Sequence, residues 1–386
     1  MKKEDIVIVS DLHLNEGVNS PNEDFFYDEE FSRFLKSLKK KTKLIINGDF
    51  VDFLQVVELP TKTAGLRRSE IIYGLNTEEE KSVWKLRYVI HNHRIFFNAL
   101  IDFVIKGNKI VIIKGNHDVE FFWPRVKQSF YQELNKINPH KNIKNNIEFK
   151  EWFYYEKDVL YVEHGNQYDE INSFCNFLNP VLSFNKKELE LPLGSFFVRY
   201  FFNRIEKIDP FADNIKPSTR YIRWVIINRP LLALRVIWQY FPMLFKTSMK
   251  ARRHSRDDNY NKVCLLNNKE LKRLAAKNNI SYEKLRKIDE LKLAPLMEKS
   301  HFIFRAAFYH VFEHKIYHNA AKKIKRLLNV KYVAFGHTHN KEASKSYFNT
   351  GTWTPRVYHE FTQLQTVKNL TYLKISNGKA SLLEWK

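Results

Sequence analysis

Short β-branched runs recur along the chain, and each stops abruptly at a polar cluster. Ile6-Val7-Ile8-Val9 leads to Asp11-Leu12-His13, and Leu44-Ile45-Ile46 leads to Gly48-Asp49. Ile110-Val111-Ile112-Ile113 leads to Gly115-Asn116-His117-Asp118, and Leu160-Tyr161-Val162 leads to His164-Gly165. Tyr332-Val333-Ala334-Phe335 leads to Gly336-His337-Thr338-His339. Apolar runs of this length, bounded by turn-forming residues, predict buried strands. A strand that ends in carboxylate, amide or imidazole side chains delivers those groups to one edge of a sheet.

Between these strands the apolar period changes to that of a helix. Asp28 to Lys40 places Phe31, Phe34, Leu35 and Leu38 on one face, and Glu78 to Lys106 is a second helical stretch. Alternation of this kind is α/β patterning. From about residue 171 to 315 strand signals thin out and aromatic and basic residues accumulate. This stretch holds 27 Lys and Arg against 13 Asp and Glu. It lies between the fourth and fifth polar clusters, so it reads as a helical cap inserted in a core made of residues 1–170 and 316–386. The core pattern resumes with a helix over Ala320 to Leu328. Strands near Tyr347–Thr350 and Leu370–Ile375 follow, with a hairpin turn at Ser376-Asn377-Gly378.

Composition narrows the partners. The 386 residues are 44% hydrophobic and 15% aromatic, enough for a sizeable core. A formal net charge of +21 favours anionic partners: phosphate esters, nucleic acid or an anionic membrane surface. The two cysteines, Cys175 and Cys264, suggest neither a metal site nor a disulfide framework, so a reducing, cytoplasmic setting is expected. There is no secretory leader pattern at Met1 to Asp5 and no apolar stretch long enough to span a bilayer.

The five clusters gather carboxylate, amide and imidazole donors with no thiolate. That donor set suits Mn, Fe or Zn in a catalytic setting and argues against a structural zinc site. Two divalent ions, two carboxylates and a bridging hydroxide leave a site of net charge near +1, which attracts phosphate. Neutral Asn116 adds an oxygen donor without cancelling that charge.

Taken together, Asp11, His13, Asp49, Asn116, His117, His164, His337 and His339 resemble the calcineurin-like metallophosphoesterase family. The resemblance implies a β-sandwich of two mixed sheets flanked by helices, with two metals, Mn foremost, at the strand ends. It implies one ion on Asp11, His13, Asp49 and His339 and the other on Asp49, Asn116, His164 and His337, bridged by Asp49. It further implies P–O hydrolysis by a metal-bridging hydroxide, with His117 at the phosphate or leaving group and Asp118 orienting His117. Ser10-Asp11-Leu12-His13-Leu14 and the aromatic cap are similar to the bacterial UDP-2,3-diacylglucosamine pyrophosphatase branch. That branch carries Arg where this chain has His117, and its cap is shorter.

Other signals leave alternatives open. Asp52 suits either a partner for a ligand or a helix cap. Asn349-Thr350-Gly351-Thr352-Trp353 reads as a tight turn beside a core Trp, or as support for the last cluster. Asn166, Gln167 and Asp169 are placed for hydrogen bonds within their own loop or for a substrate's polar group. His91-Asn92-His93 reads as part of a helix face. His310-Val311-Phe312-Glu313-His314 matches an inverted zinc-peptidase spacing, extended by His318, but no distal glutamate ligand is evident and an amphipathic helix with surface histidines is the preferred reading. Tyr221 to Phe245 is rich in apolar residues and Trp and is followed by Lys246, Lys250, Arg252, Arg253 and Arg256. Such a segment suits either an anionic membrane surface or packing on the core. Beside a phosphoesterase on a lipid-linked or nucleotide diphosphate, a metal-dependent nuclease and a non-catalytic membrane-binding scaffold are the competing functions.

Overall fold

The computed structural model describes residues 4–386 except 40, 141, 170, 184, 208–224, 232, 235–237, 239–264, 293–301 and 361–362. The basic run at Lys246 to Arg256 and most of the apolar stretch Tyr221 to Phe245 lie outside the described residues.

Thirteen strands are described. β1 (Asp5–Val9), β2 (Thr42–Asn47), β3 (Lys109–Ile113) and β4 (Ile147–Lys150) lie in the first half, followed by β5 (Phe153–Glu156) and β6 (Leu160–Glu163). After the insertion come β7 (Tyr332–Phe335), β8 (Lys341–Ala343), β9 (Tyr347–Thr350) and β10 (Arg356–Glu360). β11 (Gln363–Val367), β12 (Thr371–Ser376) and β13 (Lys379–Glu384) complete the set. They form a six-stranded sheet ordered β13-β12-β1-β2-β3-β4 and a five-stranded sheet ordered β5-β6-β7-β9-β8; β10 and β11 make a separate ribbon.

Both large sheets are mixed. β1, β2, β3 and β4 run parallel, with β12 antiparallel to β1. In the second sheet β6, β7 and β9 run parallel while β5 and β8 are antiparallel at the edges. The two-residue period of each strand explains why the apolar runs are continuous rather than alternating. Ile6, Ile8, Ile45, Val111 and Ile113 face inward and meet Leu160, Val162, Ala334 and Phe348 of the other sheet. Val7, Val9, Leu44, Ile46 and Ile112 face outward, where helices cover them.

The first helical layer holds α1 (Asp28–Ser37), α2 (Glu79–Asn92), α3 (Arg94–Ile105) and α4 (Pro124–Ile137). Phe31, Phe34, Phe96, Phe97 and Phe130 fill its interior. The second layer includes α5 (Asn268–Lys277), α6 (Tyr282–Asp289) and α7 (Phe302–Leu328). Leu271, Leu285, Ile288, Tyr317 and Ile324 pack there against Tyr161, Val333 and Phe335. Phe174, Phe177, Leu178 and Phe196, from the start of the insertion, join the same cluster. The expected boundary between residues 315 and 316 falls inside α7, which runs unbroken from the insertion into the core.

Two findings modify the sequence reading. The helix expected over Glu78 to Lys106 is two helices, broken at His93, whose backbone leaves the helical region (φ −106°, ψ 42°). Its buried ring is held by Asp28 and Glu23, at 3.1 and 3.2 Å. Cys175 is disulfide-bonded, where no disulfide was expected; the chain's other cysteine, Cys264, lies outside the described residues. No described helix is long and apolar enough to cross a membrane.

Candidate metal centre

Because β1, β2 and β3 are parallel neighbours, the loops that follow them emerge at one edge of the first sheet. Those after β6 and β7 emerge together from the second. Packing the sheets face to face brings the five polar clusters to one place. Asp11, Asp49, Asn116 and His164 are buried, and so is His13.

The donors form two groups. Asp11, His13 and His339 each offer an atom within 4.8 Å of the others, and so do Asp49, His164 and His337. In the first group His339 Nε2 lies 3.3 Å from Asp11 Oδ1 and 3.2 Å from His13 Nε2. In the second, His164 Nε2 lies 3.1 Å from Asp49 Oδ2 and 3.2 Å from Asn116 Oδ1. Asp49 Oδ2 stands between the groups, 3.8 Å from His13 Nε2. Donor atoms about 3.3 Å apart have the edge length of a tetrahedron around an ion bound at roughly 2.0–2.1 Å. Spacing and donor chemistry therefore both fit divalent transition-metal ions.

The backbone is bent to make this possible. Asp11, His13, Asp49, His337 and His339 all have φ between 48° and 68°, the left-handed region. Such residues cost on the order of 1–3 kcal/mol each and cluster at functional sites. Two glycines make room for the donors: a methyl group on Gly48 would overlap the His164 ring, and one on Gly115 would overlap the Asp49 carboxylate.

Hydrogen bonds fix the loops. The His337 N–H donates to the Asp11 carboxylate at 3.0 and 3.1 Å, and the His117 N–H donates to Asp49 Oδ1 at 2.9 Å. Asn349 Nδ2 donates to the Gly336 carbonyl and Thr352 Oγ1 to the Asp11 carbonyl, both at 2.8 Å. Trp353 is wholly buried and donates Nε1–H to the Thr371 carbonyl. The Asn349–Trp353 segment thus acts in both of its expected ways.

Orienting partners set the tautomers. His164 donates Nδ1–H to the Asn47 carbonyl at 2.9 Å, which turns Nε2 toward Asp49. His337 Nε2 pairs with Asp169 Oδ2 at 3.0 Å, leaving Nδ1 for the cluster. This role of Asp169 was not seen in the sequence. Asn166 and Gln167, by contrast, bond within their loop, to Asn172 and Phe174.

Asp52 is the most connected of these partners. Its Oδ2 accepts from His13 Nδ1 at 2.9 Å and from His117 Nδ1 at 2.5 Å, while Oδ1 accepts from the Leu54 and Gln55 amides. Burial would raise its pKa, but the two imidazoles hold it far below the usual carboxylate range. Asp118, expected to orient His117, does not. Its oxygens accept instead from the Gly115 and Phe50 amides, at 2.6 and 2.9 Å. Asp118 turns back onto the backbone of its own loop and of Phe50, and the His117 ring goes to Asp52.

Carboxylates and imidazoles in the site hold each other's charge. Burial works against the ionised Asp11 carboxyl, yet His339 and His164 hold its pKa at about 2. Burial also disfavours charge on His164, but Asp49 and Asp11 raise its pKa to about 9. Burial and the neighbouring Asp49 push Asp118 up to about 7.

Residues 5–193 match the model of the calcineurin-like phosphoesterase family. No protein of curated function matches the chain.

Proposed function

We propose, from the premise that the chain carries a calcineurin-like phosphoesterase domain and is a metal-dependent phosphoesterase, a specific division of labour among its residues. Asp11, His13, Asp49 and His339 hold one divalent ion; Asp49, Asn116, His164 and His337 hold the other. Mn is the first choice and Fe or Zn the next. The single observation that carries this reading is Asp49 Oδ2, which faces donors of both groups. When bound, the ions supply the positive charge that polarises a phosphoryl group and acidifies a water.

The chain supplies the rest. His117 is partly exposed while the carboxylates around it are buried. With Nδ1 on Asp52, it presents Nε2 as the proton-exchanging nitrogen, and Asp52 stabilises the imidazolium that protonates a leaving oxygen. The same carboxylate keeps His13 Nε2 unprotonated and aimed at the metals. Asp118 shapes the loop rather than the proton path.

The proposed substrate is a lipid-linked or nucleotide diphosphate met at an anionic membrane surface. Support comes from the insertion, where Ile226, Ile227, Leu231, Leu234 and Trp238 are exposed, Leu231 by 82% and Trp238 by 80%. Arg229 lies exposed among them. Apolar side chains next to basic ones suit the interface of an anionic bilayer.

Two experiments test these readings. With Mn, a panel of phosphomonoester, phosphodiester, UDP-linked lipid and single-stranded DNA should show turnover of the lipid-linked diphosphate. Asp49→Asn should abolish it; near-normal turnover by that variant overturns the bridging role, and preference for DNA favours the nuclease reading. In flotation with anionic vesicles, wild type should float and Leu231→Ser/Trp238→Ser should not. Failure of the wild type to float removes the membrane proposal.

A further inference from the structure

A second kind of donor cluster lies between α7 and the edge strand β8 and shares no residue with the centre described above. His314 and His318 are one helical turn apart on α7, so their rings project from the same face, with centroids 6.0 Å apart. Glu342, in the middle of β8, faces them. Its Oε1 is 3.2 Å from His314 Nδ1. One donor atom from each of the three residues lies within 4.8 Å of the other two.

We propose that His314, His318 and Glu342 form a separate surface site for a borderline transition-metal dication, Zn2+ foremost, with water completing the coordination. Two imidazoles and one carboxylate with an open position make a donor set that Zn2+ accepts and that Mg2+ and Ca2+ disfavour. The 3.2 Å separation of nitrogen and oxygen is close to the edge of a zinc tetrahedron, roughly 3.3 Å. A purely electrostatic pair does not account for His318, which adds a second imidazole to a carboxylate already paired. The edge-on contact of the His318 ring with Tyr347, centroids 5.7 Å apart, holds that ring in the cluster.

Of the histidines noted in the sequence, His314 and His318 take part, and the carboxylate comes from β8. The side chains of His310 and Glu313 lie outside the described residues. The site joins two elements that brace the buried centre. β8 begins two residues after His339, and α7 carries Tyr317, whose hydroxyl donates to the Gly165 carbonyl beside His164. An ion here staples the helix to the strand.

The test uses the full chain stripped with chelator, equilibrated with micromolar Zn2+ and assayed for bound metal. Wild type should retain one more equivalent than His314→Ala/His318→Ala, and Zn2+ should raise its Tm further. Glu342→Gln should bind that equivalent more weakly. Equal metal content and equal Tm shifts in wild type and the double variant overturn the proposal. Both proteins keep every donor of the buried centre, so the difference between them is independent of what that centre binds. All three positions reach solvent, so the variants should fold.

Discussion

Asp52 shows how one residue can serve two neighbours. Both His13 and His117 present Nδ1 to a single oxygen, so one carboxylate fixes a metal-facing imidazole and a proton-exchanging one. Asp118, only one residue from His117, binds backbone instead. A paired substitution separates the roles. His117→Ala should keep both metals and lose about 10²–10⁴-fold in kcat. Asp118→Asn should leave kcat within a few-fold but lose one of two backbone bonds, at a cost of about 1–3 kcal/mol. Metal analysis, steady-state kinetics and thermal melts of the two variants check this; a turnover loss on Asp118→Asn matching that of His117→Ala would restore Asp118 as the orienting group.

The same residues mark what a sequence can disclose. Asp11, His13, Asp49, Asn116, His164, His337 and His339 were legible because each follows an apolar run and has a distinctive side chain. Asp169 and Asn349 were harder, since their partners, His337 and Gly336, are distant in sequence. Nothing in the local spelling of Asn-His-Asp says which carboxylate reaches the ring. That depends on the direction in which the loop turns, and tertiary contacts decide it.

At the level of elements, the break between α2 and α3 was invisible to periodicity because apolar spacing continues through it. The break belongs to His93. Burial alone would lower its pKa, but the hydrogen bonds it donates to Asp28 and Glu23 raise it to about 9. A folded-state pKa above the unfolded value of about 6.5 means the charged ring stabilises the fold fully below pH 6.5. That contribution, about 3 kcal/mol, is lost as pH rises through 9. Denaturant melts at pH 6 and pH 10 should show His93→Gln much less stable than wild type at the lower pH and nearly equal at the higher. A gap that does not narrow with pH would mean that packing, not charge, holds the junction. The 27-residue α7 makes a similar point: composition changes near residue 315, but the helix does not stop there.

For the whole molecule, the division of donors between two sheets matters most. Asp11, His13, Asp49 and Asn116 follow strands of one sheet; His164, His337 and His339 follow strands of the other. Ions bound between them tie the sheets together, so their removal should reduce global stability and not only activity. Binding at 100-fold above Kd is worth about 2.7 kcal/mol per site. Chelation should therefore lower Tm by several degrees, and Mn should restore it. An unchanged Tm would mean that the ions do not bridge the sheets. The buried strands were legible from the five runs, because strands buried on both faces leave an uninterrupted apolar signature; their pairing into a sandwich was implied by the family resemblance. The disulfide at Cys175 was not, since nothing in the residues around it marks a bonded cysteine.

The left-handed ligand residues carry a consequence for how the protein acquires its metals. Their shape is held by amides and hydroxyls of the frame: the His337 N–H on Asp11, the His117 N–H on Asp49 and Thr352 on the Asp11 carbonyl. Frame groups as well as ions therefore hold these loops in shape, unlike small domains that fold only around zinc. Oxygen and imidazole donors accept several first-row divalent ions, whose affinities rank the same way in most proteins, so availability acts alongside affinity in filling such a site.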